Sequence, residues 1–326
     1  MKKTLIALAV LAASGASFAQ VTITGNLAMG YQSTTTGAVG TSTDAAGFGV
    51  DTSQIDFAAS EDLGSGLKIT AKMGLAGADR SMESSAAMAG RNASLSLTTP
   101  VGLLTLASTK APDYLSGTIA GVGVYYNGFD GKVLSKRTSR DVVSFSVPVG
   151  AFTLGASYQE SANLLGLGEG TTGAGAMTGQ ALTTLGATYG AGPVAANFTY
   201  LSFASKVGGT KDQTRLSGSY DLGVVKLGLG GVVTNSDAGT GGKATDLLFG
   251  VKAPMGALSL GANLVSRKID DVAFTGQGVG TITGTALEAD YALSKRTMVV
   301  ANYARWTQVV GNDASSQFTL LLSHSF

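Results

Sequence analysis

The sequence predicts an all-β chain: a 16-stranded antiparallel barrel that spans a membrane. Three observations predict it. Hydrophobicity alternates with a period of two, the connections between alternating runs switch between short and long, and the composition is apolar with little charge. Of 326 residues, 47 are glycine, 13 % are charged and 44 % are hydrophobic. An ordinary soluble domain carries about 25 % charge and about 7 % glycine, so this chain has roughly half that charge and twice that glycine. Its hydrophobic content is too high for a disordered chain.

The first element is residues 1–19, MKKTLIALAVLAASGASFA, which read as a cleaved secretory signal peptide. Lys2 and Lys3 form a basic start, Thr4 to Ala13 an apolar core, and Ser17-Phe18-Ala19 a small-x-small cleavage site before Gln20. That apolar core is well short of the ~20 residues a spanning helix needs. Cleavage leaves 20–326, or 307 residues, with 20 basic and 21 acidic side chains and a net charge of −1. No later stretch approaches the length of uninterrupted apolar sequence that a helical span requires.

Strands come next. Side chains alternate faces along a strand, so a two-residue period marks one apolar and one polar face. Leu67, Ile69, Ala71 and Met73 alternate with Lys68, Thr70 and Lys72; Ile55, Phe57 and Ala59 interleave with Gln54, Asp56 and Ser60. Val194, Ala196, Phe198 and Tyr200 do the same, and Phe318, Leu320, Leu322, His324 and Phe326 share one final face. Short turns are expected at 61–66, 100–102, 148–150, 190–193, 221–223, 254–256 and 294–296. Long Gly/Ser/Thr/Asp-rich loops are expected near 32–48, 77–89, 110–138, 161–179, 205–211, 235–244, 268–282 and 308–314. Seven short and eight long connections join sixteen strands, about 19 residues per strand plus connection. A membrane strand takes about 9–11 of those residues. An even strand count, with short periplasmic turns and long extracellular loops, is the pattern of an outer-membrane barrel. Lipid supplies no hydrogen bonds, so a sheet spans it only by closing on itself.

Inward parity then assigns Asp56, Lys68, Lys72, Arg215, Lys226, Glu288 and Asp290 to a water-filled lumen. The longest connection, 110–138, is expected to fold inward and narrow it. With its flanks it holds Lys110, Asp113, Asp130, Lys132, Lys136, Arg137, Arg140 and Asp141, five basic and three acidic residues. Opposed charges across a narrow place create a transverse field that sorts ions. The expectation is a channel for passive diffusion of small hydrophilic solutes and ions with a mild preference for anions. The alternative is a substrate-specific channel on the same barrel, which would need a row of lumen aromatics. Phe57, Phe145, Phe198, Tyr200, Tyr220, Tyr291 and Tyr303 fall on the lipid-facing parity instead, leaving Tyr125 and Tyr126 of the third loop as exceptions.

Other chemistry finds little support. With no cysteine there is no disulfide scaffold, Cys nucleophile or thiolate metal site, and one histidine cannot build a zinc cluster. That histidine, His324, lies on the outward face, so no enzyme activity, metal or cofactor is expected. Balanced charge argues against a nucleic-acid partner. Gly239-Thr240-Gly241-Gly242-Lys243 only evokes a phosphate loop: Asp237 occupies the first glycine position and Ala244 the Ser/Thr position.

These segments together resemble the general porins of Gram-negative bacteria, most closely the β-proteobacterial (Burkholderia-type) outer-membrane porins. The signal segment is similar to theirs, as is Ser53–Leu67, SQIDFAASEDLGSGL, with its Glu-Asp-Leu-Gly-x-Gly-Leu turn. Ser219–Gly223 (SYDLG), Ala289–Thr297 (ADYALSKRT, the most specific match) and terminal Leu322–Phe326 (LSHSF) continue the resemblance. It runs from the signal to the last residue, with the long loops matching poorly. The resemblance implies a homotrimer of barrels in the outer membrane, each narrowed by its third loop. The implied partners are outer-membrane lipid and lipopolysaccharide, and the barrel-insertion machinery, with Phe326 as assembly signal. Two departures bear on the pore. The segment 110–138 lacks the relatives' Pro-Glu-Phe-Gly turn, and Gln54 and Ser108 stand where relatives carry arginines.

Overall fold

The structure, a computed structural model, describes residues 20–38, 41–77, 89–110, 115, 118–124, 126, 129, 132–134, 139–161, 181–204, 210–236, 241–270, 278–307 and 314–326. The expected signal segment, 1–19, lies outside them. Sixteen strands follow in order: β1 (Gln20–Ala38), β2 (Thr41–Gly64), β3 (Leu67–Ala76), β4 (Ala89–Thr99), β5 (Gly102–Lys110), β6 (Ser139–Val149), β7 (Phe152–Ser161) and β8 (Ala181–Ala191). The second half comprises β9 (Val194–Phe203), β10 (Thr210–Asp221), β11 (Lys226–Ser236), β12 (Gly242–Met255), β13 (Leu258–Ile269), β14 (Gly280–Ala292), β15 (Thr297–Trp306) and β16 (Ser315–Ser325). Each strand pairs antiparallel with its sequence neighbours, and β1 pairs with β16, so the sheet closes into a barrel with no edge.

Register carries the two faces around the ring, because directly paired residues point the same way. Lys68 pairs with Thr98, Thr98 with Leu103 and Leu103 with Ser146. Further round, Thr199 pairs with Arg215, Arg215 with Val232, Val232 with Asp246 and Asp246 with Arg267. One residue along, Ile69, Leu97, Leu104 and Phe145 form the opposite row. The second face is the outer one: Leu229, Leu247, Leu264, Leu287 and Leu322 are at least half exposed on it. A one-residue slip would invert these faces, so burial of one face fixes the register.

The seven short turns all lie at one end. Gly150, Gly192, Gly223 and Gly256 adopt φ between 55° and 83°, a left-handed geometry that side chains resist. The carboxylates of Asp62 and Asp221 accept hydrogen bonds from the N–H groups of Gly64 and Gly223, both at 2.8 Å, fixing two of these turns.

Most of one expected loop is strand among the described residues. The stretch 32–48 is almost wholly strand, because β1 and β2 continue pairing to Ala38 and Thr41. This ribbon rises past its neighbours: β16 follows β1 only to Thr35, and β3 follows β2 only from Gln54. β-branched threonines at 34–36 suit strand geometry, and Tyr31 meets Phe48 edge-on at 5.4 Å across the pair.

The buried apolar cluster is inside the barrel. Leu115, Ala120, Val124, Phe129, Val133 and Leu134 join Val232, Leu248, Val265, Ile282, Ala304 and Trp306. The first six belong to the connection between β5 and β6; the rest are inward side chains of β11–β15.

Candidate functional site in the barrel interior

In a ring of sixteen strands, β13 and β14 lie opposite β5 and β6. The described residues between Leu115 and Leu134 leave the β5–β6 side and touch β11 to β16. They therefore cross the lumen. Locally the crossing is built from tight turns, with Thr118 N–H and O–H both donating to the Leu115 carbonyl. The Phe129 carbonyl accepts from the N–H groups of Lys132, Val133 and Leu134.

Polar anchors hold this inner segment to the far wall. The Gly123 N–H donates to Asn263 Oδ1 at 3.1 Å. Glu288 Oε2 accepts from the Tyr126 N–H at 2.9 Å and from Asn302 Nδ2 at 3.1 Å. Asn302 Nδ2 also reaches the Tyr126 carbonyl, and the Tyr126 hydroxyl donates to Ser323 Oγ at 3.0 Å. Lys132 Nζ donates to Gln317 Oε1 at 3.0 Å and stands 4.9 Å from the centre of the Trp306 ring. Burial lowers the Lys132 ammonium to about 8, with Asp51 pulling the other way. Between anchors, the wall carries Gly228, Gly230, Gly250, Gly261 and Gly284 where the segment approaches most closely.

Charge is distributed unevenly over the two walls. On β11–β14, Lys252 pairs with Asp290 at 2.8 Å, and Arg267 faces Asp246 at 3.6 Å with both side chains almost fully buried. Across the lumen, Lys68, Lys72 and Arg140 stand on the inward face of β3 and β6, against Asp56 on β2, whereas Arg215 stands on β10, next to β11.

Of the residues singled out by sequence, Asp56, Lys68, Lys72 and Arg140 thus point inward from strands, and Lys132 touches β15 and β16. Lys110 closes β5 with its side chain outside the described residues, as are Asp113, Asp130, Lys136 and Arg137. Ser108 needs correction as a lumen position. It pairs with Ala93, on the row of exposed Met73, and so faces outward. Gln54 does face inward, through its pairing with Asn26. Phe326 seals the β1–β16 seam. It exchanges two 3.0 Å backbone hydrogen bonds with Gly25, and its ring occupies the space a Gly25 side chain would need.

Sequence reading missed Lys252, Asp246 and Arg267. Alternation could have found them, since Asp246, Leu248 and Lys252 share one parity around outward Leu247 and Phe249. It also missed the wall glycines and the anchors Asn263 and Asn302. Among the described strand residues, the inward aromatics are Trp306 and Phe203 and form no row.

The family model of the Gram-negative porin matches residues 4–309. The chain belongs to the Gram-negative porin family. This porin lies in the outer membrane and forms a passive channel there, with its inner segment across the lumen. An anion-selective porin from Comamonas acidovorans superposes with a TM-score of 0.69 at 18 % identity, covering 95 % of this chain and 100 % of its own. The trimer form of OmpT, an outer membrane protein of Vibrio cholerae, gives 0.65 at 15 % identity over 94 % and 99 %. A variant of the Rh. blastica porin gives 0.63 at 14 % identity over 94 % and 100 %. At such identities the likeness is one of fold. No curated protein matches the porin's sequence.

Proposed function

We propose that this porin passes small hydrophilic solutes and ions with a weak preference for anions, through a lumen narrowed by its third loop. One observation carries the preference: the acidic side chains of the β11–β14 wall are held in ion pairs or hydrogen bonds, whereas the opposite wall presents Lys68, Lys72 and Arg140 against Asp56. A permeating anion therefore meets more uncompensated positive than negative charge. The similar Comamonas porin is itself anion-selective, which supports the same reading.

Assembly is a homotrimer, in line with the trimer form of the similar Vibrio OmpT. Export runs through a cleaved segment 1–19, and Phe326 is read by the insertion machinery. The test is conductance of the purified protein in a planar bilayer, with the reversal potential measured in a salt gradient. A reversal potential of anion sign and closure in steps of three are expected. No conductance would overturn the channel reading, and cation preference would overturn the charge argument.

A further inference from the structure

Five glycines on the inward face of β11–β14 share a property that strand geometry does not require. None has positive φ, so any residue could adopt their backbone conformation. Glycine inside a strand weakens it relative to alanine, and what it permits is close approach of another segment. Here the inner segment makes that approach, by backbone at Gly228, Gly250 and Gly261 and by side chain at Gly230 and Gly284. A Cβ at Gly230 would lie 2.8 Å from Ala120 Cβ and 3.1 Å from Leu115 Cδ2. At Gly250 it would lie 2.8 Å from the Ala120 carbonyl oxygen, and at Gly284 it would lie 2.6 Å from the Phe129 ring. At Gly228 and Gly261 it would run into the carbonyls of Ala120 and Gly123. Outward Gly218 differs: its nearest such neighbour is a carbonyl oxygen at 3.4 Å, an ordinary contact.

We infer that these five glycines form a trough that seats the inner segment at Leu115, Ala120, Gly123 and Phe129 and thereby sets the aperture of the pore. The inference rests on the channel reading above and names the residues that fix its size selection. Each missing side chain lets the segment sit closer to the wall, leaving more of the lumen to solutes. Any side chain placed in the trough moves the segment into the lumen. For alanine at Gly230, the contact must open from 2.8 Å to at least 3.4 Å, a shift of 0.6 Å or more. Packing is dense enough to transmit such a shift rather than absorb it.

The test is single-channel conductance of G230A, together with the ratio of liposome swelling rates for a trisaccharide and a monosaccharide. G230A should lower both. Removing the facing methyl in G230A/A120G should restore both, because the two positions compete for one space. G218A, on the outer face, should match the parent. If G230A fails to assemble, A120V enlarges the other side of the same contact without touching a strand, and must itself lower conductance. Unchanged or raised conductance in assembled G230A or A120V overturns the inference, as does an equal drop in G218A. Absence of conductance in the parent protein would instead count against the channel reading.

Discussion

Glu288 offers the sharpest perturbation of the inner segment. It is 4 % exposed, and one carboxylate oxygen serves both the Tyr126 N–H at 2.9 Å and the Asn302 amide at 3.1 Å. A hydrogen bond to a charged group contributes about 1.5–3 kcal/mol, against about 1 kcal/mol for a neutral one. Glu288→Ala removes the shared acceptor, so the segment should lose about 1.5–3 kcal/mol of attachment. At 1.4 kcal/mol per decade, its time away from the wall rises roughly ten- to hundredfold. Glu288→Gln keeps the shape and one acceptor oxygen but loses the charge; a loss of about 1 kcal/mol corresponds to roughly fivefold. Single-channel recording at fixed voltage reads this directly as open-channel noise and closure frequency. Both should rise in the order parent, Glu288→Gln, Glu288→Ala. Parental noise and closure in an assembled Glu288→Ala channel would show that this carboxylate does not hold the segment.

Further expectations concern charge and closure. Burial lowers Lys132 to about 8, so its positive charge is complete below that pH and disappears as pH rises through it. Anion preference should therefore fall across pH 8, and reversal potentials of K132M should lack the step, while the α-amino group titrates in both proteins. The unfolded lysine binds its proton up to the ordinary lysine value of 10.5, so between about 8 and 10.5 rising pH strengthens the folded state; denaturant midpoints should rise there in the parent and not in K132M. Replacing Arg140 by Glu changes the wall by two charges. At about 1 kcal/mol per unit charge at 4 Å in water, anion-to-cation permeability should fall roughly five- to thirtyfold at low salt; parental reversal potentials would refute the wall's role. Gly25→Val fills the space of the Phe326 ring, and overpacking of this kind costs about 1–3 kcal/mol. It and Phe326→Asp should both reduce heat-resistant assembled protein on gels; undiminished assembly in either would show that the seam tolerates its loss.

Strand faces were legible because lipid and water impose opposite demands on alternate residues, and a two-residue period is local information. Turns were legible for the same reason, since Asp-Leu-Gly at 221–223 places its carboxylate and glycine where the turn uses them. The stretch 32–48 misled because Ser, Thr and Gly serve both loops and polar strands. What decides between them is pairing of Gln32 with Gly47 and Thr36 with Thr43, a fact about partners rather than residues.

The interior depends on partners still further away. Gly123 meets Asn263 and Tyr126 meets Ser323 across 140 and 197 positions of sequence, separations at which no local pattern survives. Glycine is harder again to read, because a trough is an absence of side chains and has the same composition as a turn. Charge along the third loop is only part of what a permeating ion meets. Five basic against three acidic residues describe a segment, but a permeating ion responds to whatever charge is left after pairing. Asp246 is matched by Arg267 and Asp290 by Lys252, while Glu288 receives two N–H donors. The excess that remains sits on the opposite wall, at Lys68, Lys72 and Arg140. Selectivity in this barrel is thus a property of how the acidic wall is satisfied, and the variants that expose it are those on the basic wall.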